Sequence, residues 1–232
     1  MRAIVLAGGF GTRLREKVPN LPKPMAPVAG RPFIEYVLDR LISGGVSEII
    51  LSVGYMADII KSHFGNFYKN IPVSYAVEDE PLGTGGAIVH AVAGKDSDPV
   101  LVLNGDTYLD IDYAELVRWY GQTSGKSAMV LKKVPDVSRY GSVQVSDDQV
   151  VGFLEKGKAG AGLINAGVYI IRPEVFETYG LSGKFSFESD FLQKYCLDLS
   201  PDAYITNAYF IDIGIPEDYE SAREKFGTMS RT

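Results

Sequence analysis

For about its first 125 residues the chain alternates short apolar runs with amphipathic stretches, and that rhythm leaves few folds open to it. "RAIVL" (2–6), "SEIILSVG" (47–54), "PVSYAV" (72–77) and "DPVLVLNGD" (98–106) read as buried strands, brief and closed by turn residues. Between the first two, Ile34, Val37, Leu38 and Leu41 fall at helical spacing, with Pro32 near the start and Gly44 at the end. "MADIIKSHFG" and "TGGAIVHAVAG" are the next two helices. Strand followed by helix, repeated, predicts a parallel sheet wrapped by helices, hence an α/β protein. Further on the rhythm changes. "SAMVLKKV", "GSVQVS", "QVVGFLE" and "LINAGVYIIR" are strand-like with few helices between them, which predicts an inserted hairpin or antiparallel edge. Closing helices are expected at 186–197 and 216–226. No linker, repeat or low-complexity tract divides the 232 residues, so one domain in two lobes is expected, 1–110 and 111–232.

The totals narrow the partners. A net charge of −6 argues against general nucleic-acid binding, which needs a basic face. No run approaches the length of a membrane span, and "MRAIVLAGG" is too short for a signal peptide, so a soluble cytoplasmic protein is the default. The single cysteine, Cys196, lies in an amphipathic stretch and reads as a small buried hydrophobe. His63 and His90 fall on predicted helices, as packing or surface residues.

The first strand runs into "LAGGFGTRL" (6–14). A strand entering a glycine-rich turn presents backbone N–H groups to an anion. Gly8, Gly9 and Gly11 permit close approach, and Arg13 adds a planar cationic fork for phosphate oxygens. Two other phosphate motifs fail. The dinucleotide fingerprint needs glycine where Leu14 stands, and "YGQTSGKS" (120–127) opens on Tyr120 and joins helix to strand, the reverse of a Walker loop. In "LPKPM" (21–25) the prolines stiffen the segment carrying Lys23, a second clamp on a phosphate chain.

Taken in order, "LAGGFGTRL", "PKPM", "EDEPLGTGGA", "LNGD", "RYG", "FLEKG", "INAGVY" and "FIDIGIPEDY" resemble the sugar-1-phosphate nucleotidylyltransferases over nearly the whole chain. The wording around 31–55 and "FSFESDFL" (185–192) is most similar to the branch that joins GTP to a heptose 1-phosphate. Two pieces depart: "EKG" stands for the usual "EKP", and "REKVPN" for the "PLT" that often follows the opening loop.

The resemblance implies a three-layer α/β/α Rossmann-like fold with a mixed, mainly parallel sheet and a small antiparallel insertion. It implies attack of a sugar 1-phosphate on the α-phosphorus of a nucleoside triphosphate, with Arg13 and Lys23 catalytic. Nucleotide-binding positions would be Leu6, Ala7, Gly8, Gly9, Gly11, Thr12, Arg13, Lys23, Glu78, Gly83, Thr84 and Asp106. Gly141, Glu155, Lys156, Asn165 and Glu188 would hold the sugar phosphate, and Asp106 with Asp212 a Mg²⁺ ion. Where uridylyltransferases of this kind carry glutamine this chain has Glu78, an acceptor-only group suited to the adjacent N1–H and N2 amino donors of guanine. Gly83, Gly85 and Gly86 would let the flat base lie against backbone. Mannose 1-phosphate with GTP, another sugar with UTP or dTTP, and a non-catalytic nucleotide-binding subunit stay open. The mid-chain hairpin is a candidate contact for a homo-oligomer.

Overall fold

The computed structural model describes residues 1–9, 11, 14, 17–157 and 159–229, the last by its backbone. Its frame is a ten-stranded sheet. Strands β1 (Arg2–Leu6), β4 (Glu48–Val53), β6 (Ile71–Val77) and β7 (Val100–Asn104) form its parallel centre, in the order β7-β1-β4-β6. Helices α1 (Phe33–Ser43), α2 (Ala57–Phe64) and α3 (Gly83–Val92) make the crossovers. Beyond β7 lie the antiparallel β12 (Gly162–Ile171), then β9 (Ser127–Val134) and β13 (Asp202–Thr206), which run parallel to each other. The hairpin β10 (Ser142–Ser146) and β11 (Gln149–Leu154) closes that edge, and β5 (Phe67–Tyr68) the other. Strands β6, β4, β1, β7, β9, β13 and β10 point one way; β12, β11 and β5 point back. The mixed, mainly parallel sheet and the antiparallel insertion are as expected, and one sheet carries both halves of the chain.

Alternation along the central strands sorts side chains to two faces. Ala3, Val5, Ile49, Leu51, Leu101 and Leu103 pack with α1, with α4 (Tyr113–Tyr120) and with α7 (Pro216–Met229). Ile4, Ile50, Val100 and Val102 pack on the other side with Ile88 of α3 and with Phe176 of α5 (Glu174–Thr178). Two-stranded ribbons, β2 (Pro27–Val28) with β3 (Arg31–Pro32) and β8 (Thr107–Leu109) with β14 (Phe210–Asp212), lie outside the sheet. The second brings residue 212 antiparallel to residue 107, beside Asp106. No helix of the described residues is long and apolar enough to cross a membrane.

The expected helix at 186–197 is instead two pieces, a π-type run over Phe187–Gln193 and the short α6 (Cys196–Leu199). Phe187, Phe191 and Leu192 bury their side chains while Ser186 caps the start, accepting from Ser189 N at 3.2 Å. Asp190 Oδ2 accepts from Ser186 N at 2.7 Å, completing the cap. Phe187 and Phe191 both pack their rings on Phe176 along this wider turn. Residues 120–127 do lead from helix to strand, at the edge of the sheet where β9 begins.

The N-terminus of α3 is stitched to residues 183–187. Phe185 N donates to Leu82 O at 3.0 Å, and Gly85 N returns the bond to Phe185 O at 3.0 Å. A Cβ on Gly86 would stand 2.2 Å from Gly183 O, and one on Gly85 would fall within the Phe185 ring, 2.1 Å from its nearest atom. Gly86→Ala is therefore expected to lower unfolding stability by about 1–3 kcal/mol through overpacking, read from the urea midpoint.

Candidate active site

Register places the ends of the parallel strands in one row. Leu6 is opposite Ser52 on one side and Asn104 on the other, and Val53 is opposite Val77. Everything immediately beyond that row lies at the carboxyl edge of the sheet, where α/β proteins open a crevice. The crevice is there, a cleft of about 420 Å³. Its walls include Leu6, Ala7, Gly8, Gly9, Gly11, Lys23, Glu78, Gly83, Thr84 and Asp106, all expected nucleotide-site positions. Thr12 and Arg13 lie outside the described residues.

Lys23 opens a single 3₁₀ turn, Lys23–Met25, held between Pro22 and Pro24. Its side chain is 10% exposed and its Nζ reaches Asp106 Oδ2 at 2.5 Å and Asp212 Oδ1 at 3.5 Å. Gly11, at φ +56°, clears a path for that side chain, since a Cβ there would be 2.8 Å from Lys23 Cβ. Gly214 does the same for the Asp212 carboxylate, 2.9 Å from where its Cβ would be.

Asp212 is 37% exposed as a side chain, yet its Oδ1 is enclosed and has no well-formed hydrogen bond among the described residues. Burial, and then the neighbouring Asp106, push its carboxyl above the ordinary carboxylate range, against the opposing pull of Lys23 and the Gly214 amide. Two hard oxygen ligands with an unsatisfied oxygen between them fit a divalent cation that shares its remaining positions with phosphate. No group of three carboxylate, histidine or cysteine ligands exists among the described residues.

Glu78 is not a solvated acidic turn. It follows β6 and folds its carboxylate inward, where Oε2 accepts from Leu82 N at 2.9 Å and Oε1 from Ser52 Oγ at 3.3 Å. A Cβ on Gly8 would come within 2.9 Å of Glu78 Oε1, so glycine here makes room for that carboxylate. Of the three glycines expected to lie under a base, Gly83 lines the cleft, whereas Gly85 and Gly86 are occupied by Phe185 and Gly183. That expectation is corrected for those two. Bare backbone at 85 and 86 serves packing.

The expected sugar-phosphate residues fall into two groups, neither in the cleft wall. Asn165 Nδ2 donates to Tyr169 Oη at 2.6 Å and to Glu188 Oε1 at 3.0 Å, while Asn165 Oδ1 accepts from Gly167 N at 2.9 Å. Thr84 ties this group to the nucleotide wall by accepting from Phe187 N at 2.9 Å. Gly141, Glu155 and Lys156 flank the open end of the β10–β11 hairpin, where Ser142 pairs with Leu154. The loop before Gly141 is pinned by Arg139, whose Nη2 donates to Asp218 Oδ2 at 2.6 Å, at the start of α7. Ser52, Asn104 and Gly214 line the cleft without having been singled out from sequence. The only signals were a serine inside an apolar run and the neighbours of two aspartates. His63 Nε2 meets Glu35 Oε1 at 2.7 Å and His90 Nε2 the Val77 carbonyl at 3.1 Å, away from this chemistry.

A glycine-walled cleft at the carboxyl edge of a parallel sheet, closed by a lysine between two aspartates, belongs to a recognisable class. The chain is a member of the nucleotidyl transferase family, matched over residues 2–228. It is 44% identical over 225 residues to the D-glycero-alpha-D-manno-heptose 1-phosphate guanylyltransferase of Aneurinibacillus thermoaerophilus, spanning 97% of this chain and 98% of that one. The crystal structure of HddC from Yersinia pseudotuberculosis complexed with GMP-PN is 43% identical, with a TM-score of 0.85 over 97% of this chain and 99% of that one. A probable mannose-1-phosphate guanylyltransferase of Oryza sativa is 33% identical, over 94% of this chain and 63% of its own.

The raised carboxyl of Asp212 carries a prediction about stability. A native carboxyl that binds its proton more tightly than the unfolded chain makes stability fall as pH climbs from the unfolded value through the native one. With chelator present, Asp212→Asn should therefore raise the urea midpoint at pH 7, the gain shrinking as pH falls through the raised native value and vanishing by about 4, the ordinary aspartate range. A lower midpoint at pH 7 would contradict the assignment of unfavourable charge to this oxygen.

Proposed function

We propose that this chain is a guanylyltransferase that joins GTP to D-glycero-α-D-manno-heptose 1-phosphate and releases pyrophosphate. The observation that carries it is Glu78, an acceptor-only carboxylate fixed in the wall of the same cleft that holds Lys23 and Asp106. Guanine offers N1–H and N2–H side by side, and a carboxylate accepts both; adenine would set its N1 lone pair against it. The full-length likeness to a heptose 1-phosphate guanylyltransferase supports the sugar, and the likeness to HddC with GMP-PN supports the base.

In the reaction an oxygen of the sugar phosphate attacks the α-phosphorus of GTP. The bond from that phosphorus to the bridging oxygen of the β-phosphate breaks, and the electron pair leaves on pyrophosphate. The nucleophile needs no protein base, because the second phosphate pKa is about 6 and the group is already dianionic near neutrality. What the protein supplies is charge and alignment. Lys23, nearly buried and positioned by its prolines, neutralises developing charge, and Arg13 completes the clamp on the triphosphate. Gly8, Gly9 and Gly11 with the ends of β1 shape the phosphate floor. Asp106 and Asp212 would hold Mg²⁺, which, when bound, offsets the repulsion between the two phosphate reactants. Asn165 and Glu188 bind sugar hydroxyls, with Tyr169 fixing both, while Gly141, Glu155 and Lys156 receive the sugar phosphate.

Pyrophosphate release across a matrix of GTP, ATP, UTP and dTTP against heptose, mannose and glucose 1-phosphates tests the reading. GTP with the heptose phosphate should give the highest kcat/KM, and release should stop on chelation and return with Mg²⁺. Binding of GTP with no release from any pair would favour a non-catalytic subunit. Glu78→Gln should reduce the preference for GTP over UTP by about tenfold or more, one charge-assisted hydrogen bond being replaced by a mismatched donor. An unchanged ratio would remove Glu78 from base selection.

A further inference from the structure

We infer that Ser52 is a specificity-determining positioning residue, its hydroxyl setting which hydrogen-bonding pattern Glu78 presents to the nucleotide base. The inference rests on the reading of Glu78 as the base-selecting group and adds the device that makes it selective.

Ser52 is 1% exposed, one of three buried polar residues among those described, with Thr107 and Ser127. It sits at the carboxyl end of β4, between Leu6 and Ala76 in register, in a run that is otherwise apolar. A hydroxyl buried there is unfavourable unless it is hydrogen-bonded. Its backbone carbonyl accepts from Ala7 N at 2.8 Å, which fixes the residue against the glycine loop, and its Oγ donates to Glu78 Oε1. The same carboxylate receives Leu82 N on its other oxygen, and Gly8 leaves room for Oε1 on the loop side, where a Cβ would stand 2.9 Å from it. The group is thus held by one hydrogen bond on each oxygen, which fixes its plane.

Each carboxylate oxygen has two acceptor positions, and the protein fills one on each. The remaining pair belongs to the cleft. The two grips differ in kind. Leu82 N can only donate, whereas the Ser52 hydroxyl can donate or accept. Glutamine at 78 would have to place its carbonyl on Leu82 N and its amide NH₂ toward Ser52, which would then accept. The clamp tolerates both residues, but the first shows the base two acceptors and the second an acceptor and a donor. Ser52 is what keeps either arrangement satisfied and single. Without its hydroxyl, Oε1 loses its donor and the carboxylate regains freedom to rotate away from the base.

Equilibrium binding by calorimetry, without sugar phosphate, separates this from a merely structural serine. The ligands are GTP, ITP (which lacks the guanine amino group) and UTP. Ser52→Ala should lower the GTP-to-ITP affinity ratio by about threefold to tenfold, the worth of one hydrogen bond, with UTP affinity unchanged. Ser52→Cys, close in volume and a weak donor, should lie between wild type and Ala and covers the case in which Ala does not fold. Glu78→Gln is the control. If it lowers the GTP-to-ITP ratio while both Ser52 variants keep the wild-type ratio, the role of Ser52 is overturned and that of Glu78 stands. If Glu78→Gln leaves the ratio unchanged, the reading of Glu78 falls, and this inference with it. A uniform loss of affinity for all three nucleotides in the Ser52 variants would make the serine structural only.

Discussion

The site depends on one ammonium group placed between two carboxylates that are distant in sequence. Lys23 reaches Asp106 at the end of β7 and Asp212 at the end of β14, so a single ion-pair cluster joins three parts of the chain at the carboxyl edge of the sheet. Lone carboxylates this close would repel; a nearly buried ammonium compensates both, and its loss would leave uncompensated charge. The prolines on either side of Lys23, the open path past Gly11 and the absent side chain at Gly214 all serve that placement. The arrangement also has slack. Asp212 Oδ1 is enclosed but not well bonded, the mark of a site whose full complement includes something besides protein.

Around that cluster two halves of the molecule are joined by short-range contacts. Thr84 accepts the amide of Phe187, Gly85 bonds to Phe185, and Gly86 lies against Gly183, so the segment that starts α3 is tied directly to the segment that bears Glu188. A further hydrogen-bonded group, Asn165, Tyr169 and Glu188, continues from it. Tyr169 is fully buried, and burial followed by the adjacent Glu188 keeps its hydroxyl protonated far beyond the ordinary tyrosine range. Its hydroxyl therefore stays a hydrogen-bond donor to Glu188 well above neutral pH.

Much of this was legible in the residues. The alternation of "RAIVL", "SEIILSVG" and "DPVLVLNGD" with helical stretches set the parallel centre, because a buried parallel strand has to be apolar throughout. An inserted hairpin or antiparallel edge beyond the first 125 residues was also legible, as were the glycine loop with Gly8 and the place of Asp106, both at strand ends; Lys23 read as a phosphate clamp, while Leu6 and Glu78 joined them only through the family resemblance. The π-type turn at 187–193 was not legible. Its rings pack on Phe176, which is distant in sequence, and nothing local distinguishes it from an α-helix. The purpose of Gly85 and Gly86 was also hidden, because their neighbours come from a hundred residues away. Ser52 left the faintest trace of all. A serine in an apolar strand says that a partner exists but not which one.

Gly8 and Glu78 constrain one another in a way that bears on how such an enzyme diversifies. A Cβ on residue 8 would press on the Glu78 carboxylate, so the glycine loop after β1 and the residue proposed to meet the base share one small volume. Enlarging either forces the other aside. Drift toward a new nucleotide is therefore confined to exchanges of equal size, glutamate for glutamine above all, and a designer who wants a different base must work by polarity at constant shape.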